Sequence, residues 1–219
     1  MTDESILADV KPDNILVNWD SDTEGIKTIT DVALGDFDIS FKSEGGKPRH
    51  TPYAVGNAMW RSPEGQTGSS MTKASDMFSF GLVVSESCSN ARMHAKLCLQ
   101  CIYALGGGEF LILNNYSELV KHDMMPEQEI MVRHFCYFGL VPEGLLKLVN
   151  SEDWCSALKA ASRTAERAIK EQPELKFEWW GRDLGPEAMN MISGMTNLDP
   201  TARTTIDQVL LHEWWQETD

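Results

Sequence analysis

Asp9-Val10-Lys11-Pro12-Asp13-Asn14-Ile15-Leu16 places a carboxylate, an amine and an amide within one short loop that runs directly into a strand-like stretch. Taken alone, an Asp, a Lys and an Asn in a loop describe a solvated turn more readily than a site. The weighting changes with what lies downstream. Ile15 to Trp19 and Lys27 to Val32 are two β-branched runs separated by a polar loop through Asp22 and Gly25, which reads as a hairpin. The stretch from Asp36 to Gly68 that follows is irregular and carries Gly and Pro. It is too long for an ordinary connection, which marks it as functional.

Beyond that stretch the pattern becomes helical. Met77, Phe80, Gly81 and Val84 sit in a segment that is apolar nearly all round, as expected of a helix in the middle of a domain. Trp154, Leu158, Ala161, Ala165 and Ile169 recur at helical spacing, with Arg163 and Lys170 left to water on the opposite face. Pro186 suits the first turn of another helix that carries Ala188, Met191, Ile192 and Met195 on one side. Thr205 with Gln208 forms a capping-box pattern ahead of Val209, Leu210 and Trp214. Leu105 to Glu118 is a loop-rich boundary, and its Gly106-Gly107-Gly108 run lacks the strand, Lys and Ser/Thr of a phosphate loop, so it reads as a turn.

Composition narrows the class. The chain has 219 residues, 42% apolar and 24% charged, enough to bury a core as one domain. Its 33 acidic against 19 basic residues give a net charge of -14. That balance argues against a nucleic-acid or anionic-membrane surface and favours basic partners or substrates. The start, Met1-Thr2-Asp3-Glu4-Ser5, is acidic, without the basic and apolar regions of a secretory signal, and no apolar run reaches membrane-spanning length. Five cysteines, an odd number, suit a reducing compartment. Cys98 and Cys101 with His94 have no second ligand pair and fall in a predicted helix, so they read as packing and not as a zinc site. The expected location is intracellular, in cytoplasm or nucleus.

Five short stretches now stand in order: the loop from Asp9 to Asn14; Leu34-Gly35-Asp36-Phe37-Asp38; Trp60-Arg61-Ser62-Pro63-Glu64; Ser75-Asp76-Met77-Phe78-Ser79-Phe80-Gly81; and Leu198-Asp199-Pro200-Thr201-Ala202-Arg203. Together they resemble the C-terminal lobe of a eukaryotic-type serine/threonine protein kinase. The resemblance implies an α+β, mainly helical fold with a short β-hairpin at the catalytic loop. It implies a truncated kinase-like domain over 1–219, with catalytic loop 7–16, activation segment 36–64 and helical subdomain 70–217. Asp9 would act as base or orienting group for a substrate hydroxyl, and Lys11 would neutralise charge on the transferring phosphoryl group. Asn14 and Asp36 would hold Mg2+, and with Lys11 would bind ATP in a complete kinase. Asn57 would lie in the substrate loop. Glu64 and Arg203 would form a buried pair, and Asp76 would hold the catalytic-loop backbone. The implied partner is a protein substrate, basic in character, with the lobe interface left open for association. The segment from Tyr116 to Leu148 faintly resembles the insert of the cyclin-dependent and SR-protein kinase branch.

Four positions depart from the pattern of that family. Leu7 and Ala8 stand where it has His and Arg, and Ala8 cannot clamp a phosphate, so control through phosphorylated Ser43 or Thr51 is not expected. Asp38 replaces a Gly, which makes positive φ less accessible there and adds negative charge. Asn57 replaces a Thr that would contact Asp9 and Lys11. Upstream of Leu7 nothing supplies a glycine-rich phosphate cover, the strand lysine or the adenine hinge, so the chain alone is expected to be inactive. Two functions follow: a kinase catalytic lobe completed by residues found elsewhere, or a pseudokinase-like binding module or gene remnant.

Overall fold

The computed structural model describes residues 5–43, 47–51, 53–83, 121 and 125–216. Val84, the His94, Cys98 and Cys101 group and the Gly106-Gly107-Gly108 run lie outside them. Two small antiparallel sheets flank the loop that carries Asp9. In one, β1 (Ser5–Ile6) pairs with β4 (Phe41–Lys42); in the other, β2 (Ile15–Ser21) pairs with β3 (Lys27–Leu34).

The hairpin runs further than the alternation predicts, to Ser21 on one strand and Leu34 on the other. Its polar end stays paired for two reasons. Oδ1 of Asp22 accepts the N–H groups of Glu24 and Ile26, both at 2.9 Å, while Gly25 takes a positive φ of 81° that closes the turn. A bulge between Asn18 and Trp19 then lets the strands continue, and the Lys27 ammonium lies 5.0 Å from the Trp19 ring.

The rest of the described chain is helical: α1 (Pro63–Gln66), α2 (Lys73–Val83), α3 (Pro126–Phe138), α4 (Glu143–Val149), α5 (Glu152–Glu171), α6 (Phe177–Trp180), α7 (Pro186–Met195) and α8 (Ile206–Leu210). This is the mainly helical α+β arrangement that the sequence implies. Phe78, Leu82, Phe135, Leu145, Leu158 and Ile192 meet in one buried cluster. Each such side chain contributes about 1.5–3 kcal/mol by leaving water.

Helix α2 approaches α7 closely. A Cβ on Gly81 would meet Cβ of Met195 and Cγ2 of Thr196 at 2.9 Å each, so that crossing needs glycine. On α7 the four residues predicted to face inward, Ala188, Met191, Ile192 and Met195, are all buried. The Thr205–Gln208 capping box forms in both directions at the start of α8. Two expectations change. Trp154 is largely exposed because the first turn of α5 overhangs the core, which begins with Leu158. The described part of the Tyr116 to Leu148 segment is not an appended insert, because α3 buries Ile130, Met131, Phe135 and Cys136 against the rest of the fold. His134 of α3 is also buried, edge-on to Phe78 at 5.1 Å with Nδ1 unpaired, and burial pushes its pKa down to about 4.

Cys136 and Cys155 are free thiols, and burial pushes the Cys136 thiol up to about 11. Among the described residues, no helix is long and apolar enough to cross a membrane.

Candidate active site

The loop between β1 and β2 turns sharply at Ala8, whose φ is 65°, and then presents Asp9. Pro12 to Asn14 form a short 3-10 turn that brings the Asn14 side chain back over the loop. Its Nδ2 donates to the Asp9 carbonyl at 2.9 Å and to Oδ2 of Asp9 at 3.2 Å. Nζ of Lys11 lies 2.5 Å from the same Oδ2. Oδ1 of Asp9 accepts the backbone N–H of Asn57 at 2.9 Å. The carboxylate is therefore held on both oxygens; Oδ2 is filled by its two donors, and Oδ1 keeps capacity for one more. Hydrogen bonding to Asp9 raises the Lys11 pKa, burial opposes it, and the charges of Asp9, Asp36 and Asp13 add to the rise, so Lys11 stays an ammonium.

Asn57 reaches Asp9 through its backbone and not, as the resemblance implies for this position, through its side chain. Its Oδ1 is turned to the N–H of Met59 at 3.0 Å, so the amide caps its own turn. Gly56 makes the approach possible. It has a φ of 85°, and a Cβ there would lie 2.1 Å from the Ala8 carbonyl oxygen. Arg61 braces the same turn: its Nε donates to the Gly56 carbonyl at 2.9 Å, its Nη2 makes a further short bond to that oxygen, and Nη1 donates to Gln66 at 3.2 Å. Burial lowers the Arg61 pKa, against the pull of Glu127 and Asp9. Sequence reasoning missed Gly56, Arg61 and Gln66; the Gly-Asn pair inside an irregular stretch was the available signal.

Asp36 follows β3 through Gly35, whose N–H donates to the Asn14 carbonyl at 2.8 Å. The left-handed backbone expected to be needed at residue 38 falls instead on Asp36, with φ of 59°. Aspartate tolerates that region better than most side chains, so the missing glycine is not what the turn depends on. Asp36 and Asp38 are both exposed. Asp36 is close enough to act on Lys11, whereas Asp38 makes no hydrogen bond or ion pair among the described residues. Nor do the described residues gather three or more His, Cys, Asp or Glu side chains as for a metal ion.

Two carboxylates support the loop, Asp76 half-buried and Glu64 fully buried. Asp76, in the first turn of α2, accepts the N–H groups of Leu7 at 2.7 Å and Ala8 at 2.9 Å. Burial raises its pKa to about 6, with those two bonds opposing the rise. Glu64, in α1, meets Arg203 at 2.7 Å and 3.3 Å, with both side chains at 0% exposure. The Arg203 guanidinium also donates to the carbonyls of Ala74 at 2.5 Å and Asn197 at 2.8 Å, and Ser75 donates to Glu64 at 2.9 Å.

The hydroxyls considered for phosphorylation are engaged. Thr51 donates to the Tyr53 carbonyl at 2.6 Å and to Gly68 at 3.2 Å, and buried Ser43 donates to Lys47 at 3.0 Å. On the open side of the hairpin Leu16 is 60% and Trp19 53% exposed. Behind the loop lies an apolar groove of about 780 Å³, lined by Leu7, Val10, Leu34, Met77, Phe80 and Ile206, with Asp76 in its wall.

Residues 3–215 match the protein kinase domain as a family. In three dimensions the chain is similar to the crystal structure of PF14_0431, kinase domain, with a TM-score of 0.60 at 16% identity. The likeness covers 97% of this chain and 60% of that one, so this chain spans 60% of the length of the kinase domain it resembles. No curated protein matches it by sequence. The family match takes in every stretch from the Asp9 loop to Arg203, and the chain belongs to the protein kinase domain family.

Proposed function

We propose that this chain forms the catalytic lobe of a serine/threonine protein kinase, which transfers a phosphoryl group from ATP to protein hydroxyls once completed by the residues that roof the site. The observation that carries the reading is the Asp9 carboxylate, held by Lys11, Asn14 and the Asn57 amide with one lone pair of Oδ1 still open. A kinase works chiefly by aligning a hydroxyl with a phosphoryl group and neutralising the charge that moves. Asp9 orients the hydroxyl, and Lys11, fixed beside it as an ammonium, faces the incoming negative charge. Asn14 uses only its amide nitrogen on Asp9, leaving its carbonyl oxygen, like the exposed Asp36 carboxylate, as a hard oxygen donor. Two such donors suit Mg2+, which binds through one or two carboxylates or carbonyls and substrate phosphates. When bound, that ion would draw negative charge off the phosphoryl oxygens. The acidic surroundings of Lys11, namely Asp9, Asp13 and Asp36, favour a substrate with basic residues near the acceptor.

The exposed Leu16 and Trp19 on the hairpin, and the apolar groove behind the loop, each offer surface for association. A second reading, a binding module without transfer, is favoured by Asp38, which adds unpaired charge where phosphates would lie. One comparison separates the two readings. The product of the full coding sequence is assayed for transfer from Mg-ATP to serine- and threonine-containing basic peptides. Transfer that falls by about 10²–10³ in Asp9→Asn supports the enzyme. A product that gives no more phosphopeptide than its Asp9→Asn variant, and binds no Mg-ATP by calorimetry, refutes it.

A further inference from the structure

Helix α5 carries most of its positive charge on one side. At about 100° and 1.5 Å per residue, Lys159, Arg163, Arg167 and Lys170 fall within an arc of about 80° and a length of about 16 Å. All four are exposed. Lys170 pairs with Glu166 at 2.9 Å, but Lys159, Arg163 and Arg167 form no ion pair among the described residues. Arg167 bonds only within its own helix, to the Arg163 carbonyl at 3.4 Å and the Thr164 hydroxyl at 3.5 Å.

Two features set this apart from an ordinary solvated face. The chain holds 33 acidic residues against 19 basic ones, so cations left without carboxylates are not the expected outcome. Lys159–Arg163 and Arg163–Arg167 are also like-charge pairs at i,i+4, which weaken a helix where opposite charges would strengthen it. Glu166 and Glu171 stand at i,i+3 from Arg163 and i,i+4 from Arg167 but make no ion pair with them among the described residues, so an anion from outside would relieve the repulsion that remains.

We infer that this stripe is a docking surface for a short acidic segment of a partner protein. Length and charge choose that occupant. An extended strand advances about 3.3 Å per residue, so about five residues span the stripe. A net charge of -14 repels a long polyanion such as nucleic acid, and a broad anionic membrane, wherever they extend past the stripe, whereas a short segment meets only the local positive field. The small side chains of Ser156 and Ala160 beside the cations let a peptide backbone come close.

The test is fluorescence anisotropy with the full chain and a labelled peptide of about six consecutive Asp and Glu residues. The intact chain binds it saturably, more weakly as salt rises. The variant Lys159→Gln/Arg163→Gln/Arg167→Gln binds at least about tenfold more weakly with an unlowered melting temperature, because the substitutions are exposed and remove repulsion. No saturable binding by the intact chain, or equal affinity in the triple variant, overturns the inference. So does stripe-dependent binding to duplex DNA or to phosphatidylserine vesicles that exceeds binding to the peptide.

Discussion

Replacing Arg203 with alanine removes a guanidinium that satisfies three parts of the fold at once. It bonds both oxygens of Glu64, the carbonyls of Ala74 and Asn197, and lies 5.0 Å from the Phe78 ring. The substitution leaves Glu64 at 0% exposure with only the Ser75 hydroxyl and its own turn for company. Breaking one side of a buried pair costs about 3–5 kcal/mol. Against a total stability of about 5–15 kcal/mol, that is from about a fifth to all of what holds a domain folded. With a urea slope of about 2 kcal/mol/M the midpoint should fall by about 1.5–2.5 M.

The effect should also depend on pH. In the intact protein burial alone would raise the Glu64 pKa, but the charge and hydrogen bonds of Arg203 outweigh it and hold the carboxyl below its ordinary 4.5. A folded value below the unfolded one means that the pair's contribution is present above about pH 4.5 and is lost as pH falls through the depressed value. Without Arg203 burial is unopposed, Glu64 moves up, and it can take a proton at mildly acidic pH. The gap between the intact protein and Arg203→Ala should then be widest at pH 7 and narrow toward pH 5. Urea titrations followed by tryptophan fluorescence at both values measure it. An unmoved midpoint at pH 7, or a gap that grows on acidification, would refute the reasoning.

Asp76 should give the opposite pH signature. Its folded value, about 6 against an ordinary 3.8, favours folding at low pH, on the order of 3 kcal/mol, and that contribution is lost as pH rises through 6. Asp76→Asn should remove the change in stability between about pH 4 and 6 while weakening amide protection at Leu7 and Ala8 by hydrogen exchange; equal pH slopes for the two proteins would contradict this. Gly56→Ala places a Cβ 2.1 Å from the Ala8 carbonyl at a φ of 85°, so at least about 1–2 kcal/mol of stability should go, and the Asn57 amide should lose its protection by Asp9. Wild-type protection of that amide in the variant would count against the close approach. Thr51→Glu should leave any transfer activity unchanged, because no Arg stands at residue 8 to receive the charge, and a large rise in phosphopeptide yield would show otherwise.

What could be read from residues alone followed the kind of signal each part sends. Ala188, Met191, Ile192 and Met195 announce their helix because side-chain burial on one face imposes a period, and the Thr205–Gln208 box announces its own start. Asp9, Lys11, Asn14 and Asp36 were visible because their chemistry lies in their side chains. Asn57 touches Asp9 through a backbone N–H, which any residue but proline supplies, so its identity carried no information about the contact. The left-handed backbone at Ala8 was equally silent, since it forms where Gly56 and Asp76, both distant in sequence, close on that residue. Helix α3 was not foreseen, and its Ile130, Met131 and Phe135 mark it as core only once α5 lies beside them.

Stability accounts for part of this site and not for the rest, and the division bears on function. Asp76 and the Glu64–Arg203 pair tie loop, α1 and α2 together, and any protein with this fold has use for them whether or not it transfers phosphate. Lys11 does little of that kind. Its pair with Asp9 is partly buried but joins residues two apart in the same loop, so it ties no separate elements together. Asp36 holds a left-handed backbone at a cost of about 1 kcal/mol and makes no hydrogen bond or ion pair among the described residues. At the departures in residues 8 and 57 the contacts that matter to the loop come from the backbone: the Ala8 N–H bonds Asp76, and the Asn57 N–H bonds Asp9 while its side chain caps the turn at Met59. Neither departure removes what positions Asp9. A cation beside Asp9, an amide oxygen left open on Asn14 and an exposed carboxylate at Asp36 are the groups on which the proposed phosphoryl-transfer reading rests, since none of the three is needed to hold the fold.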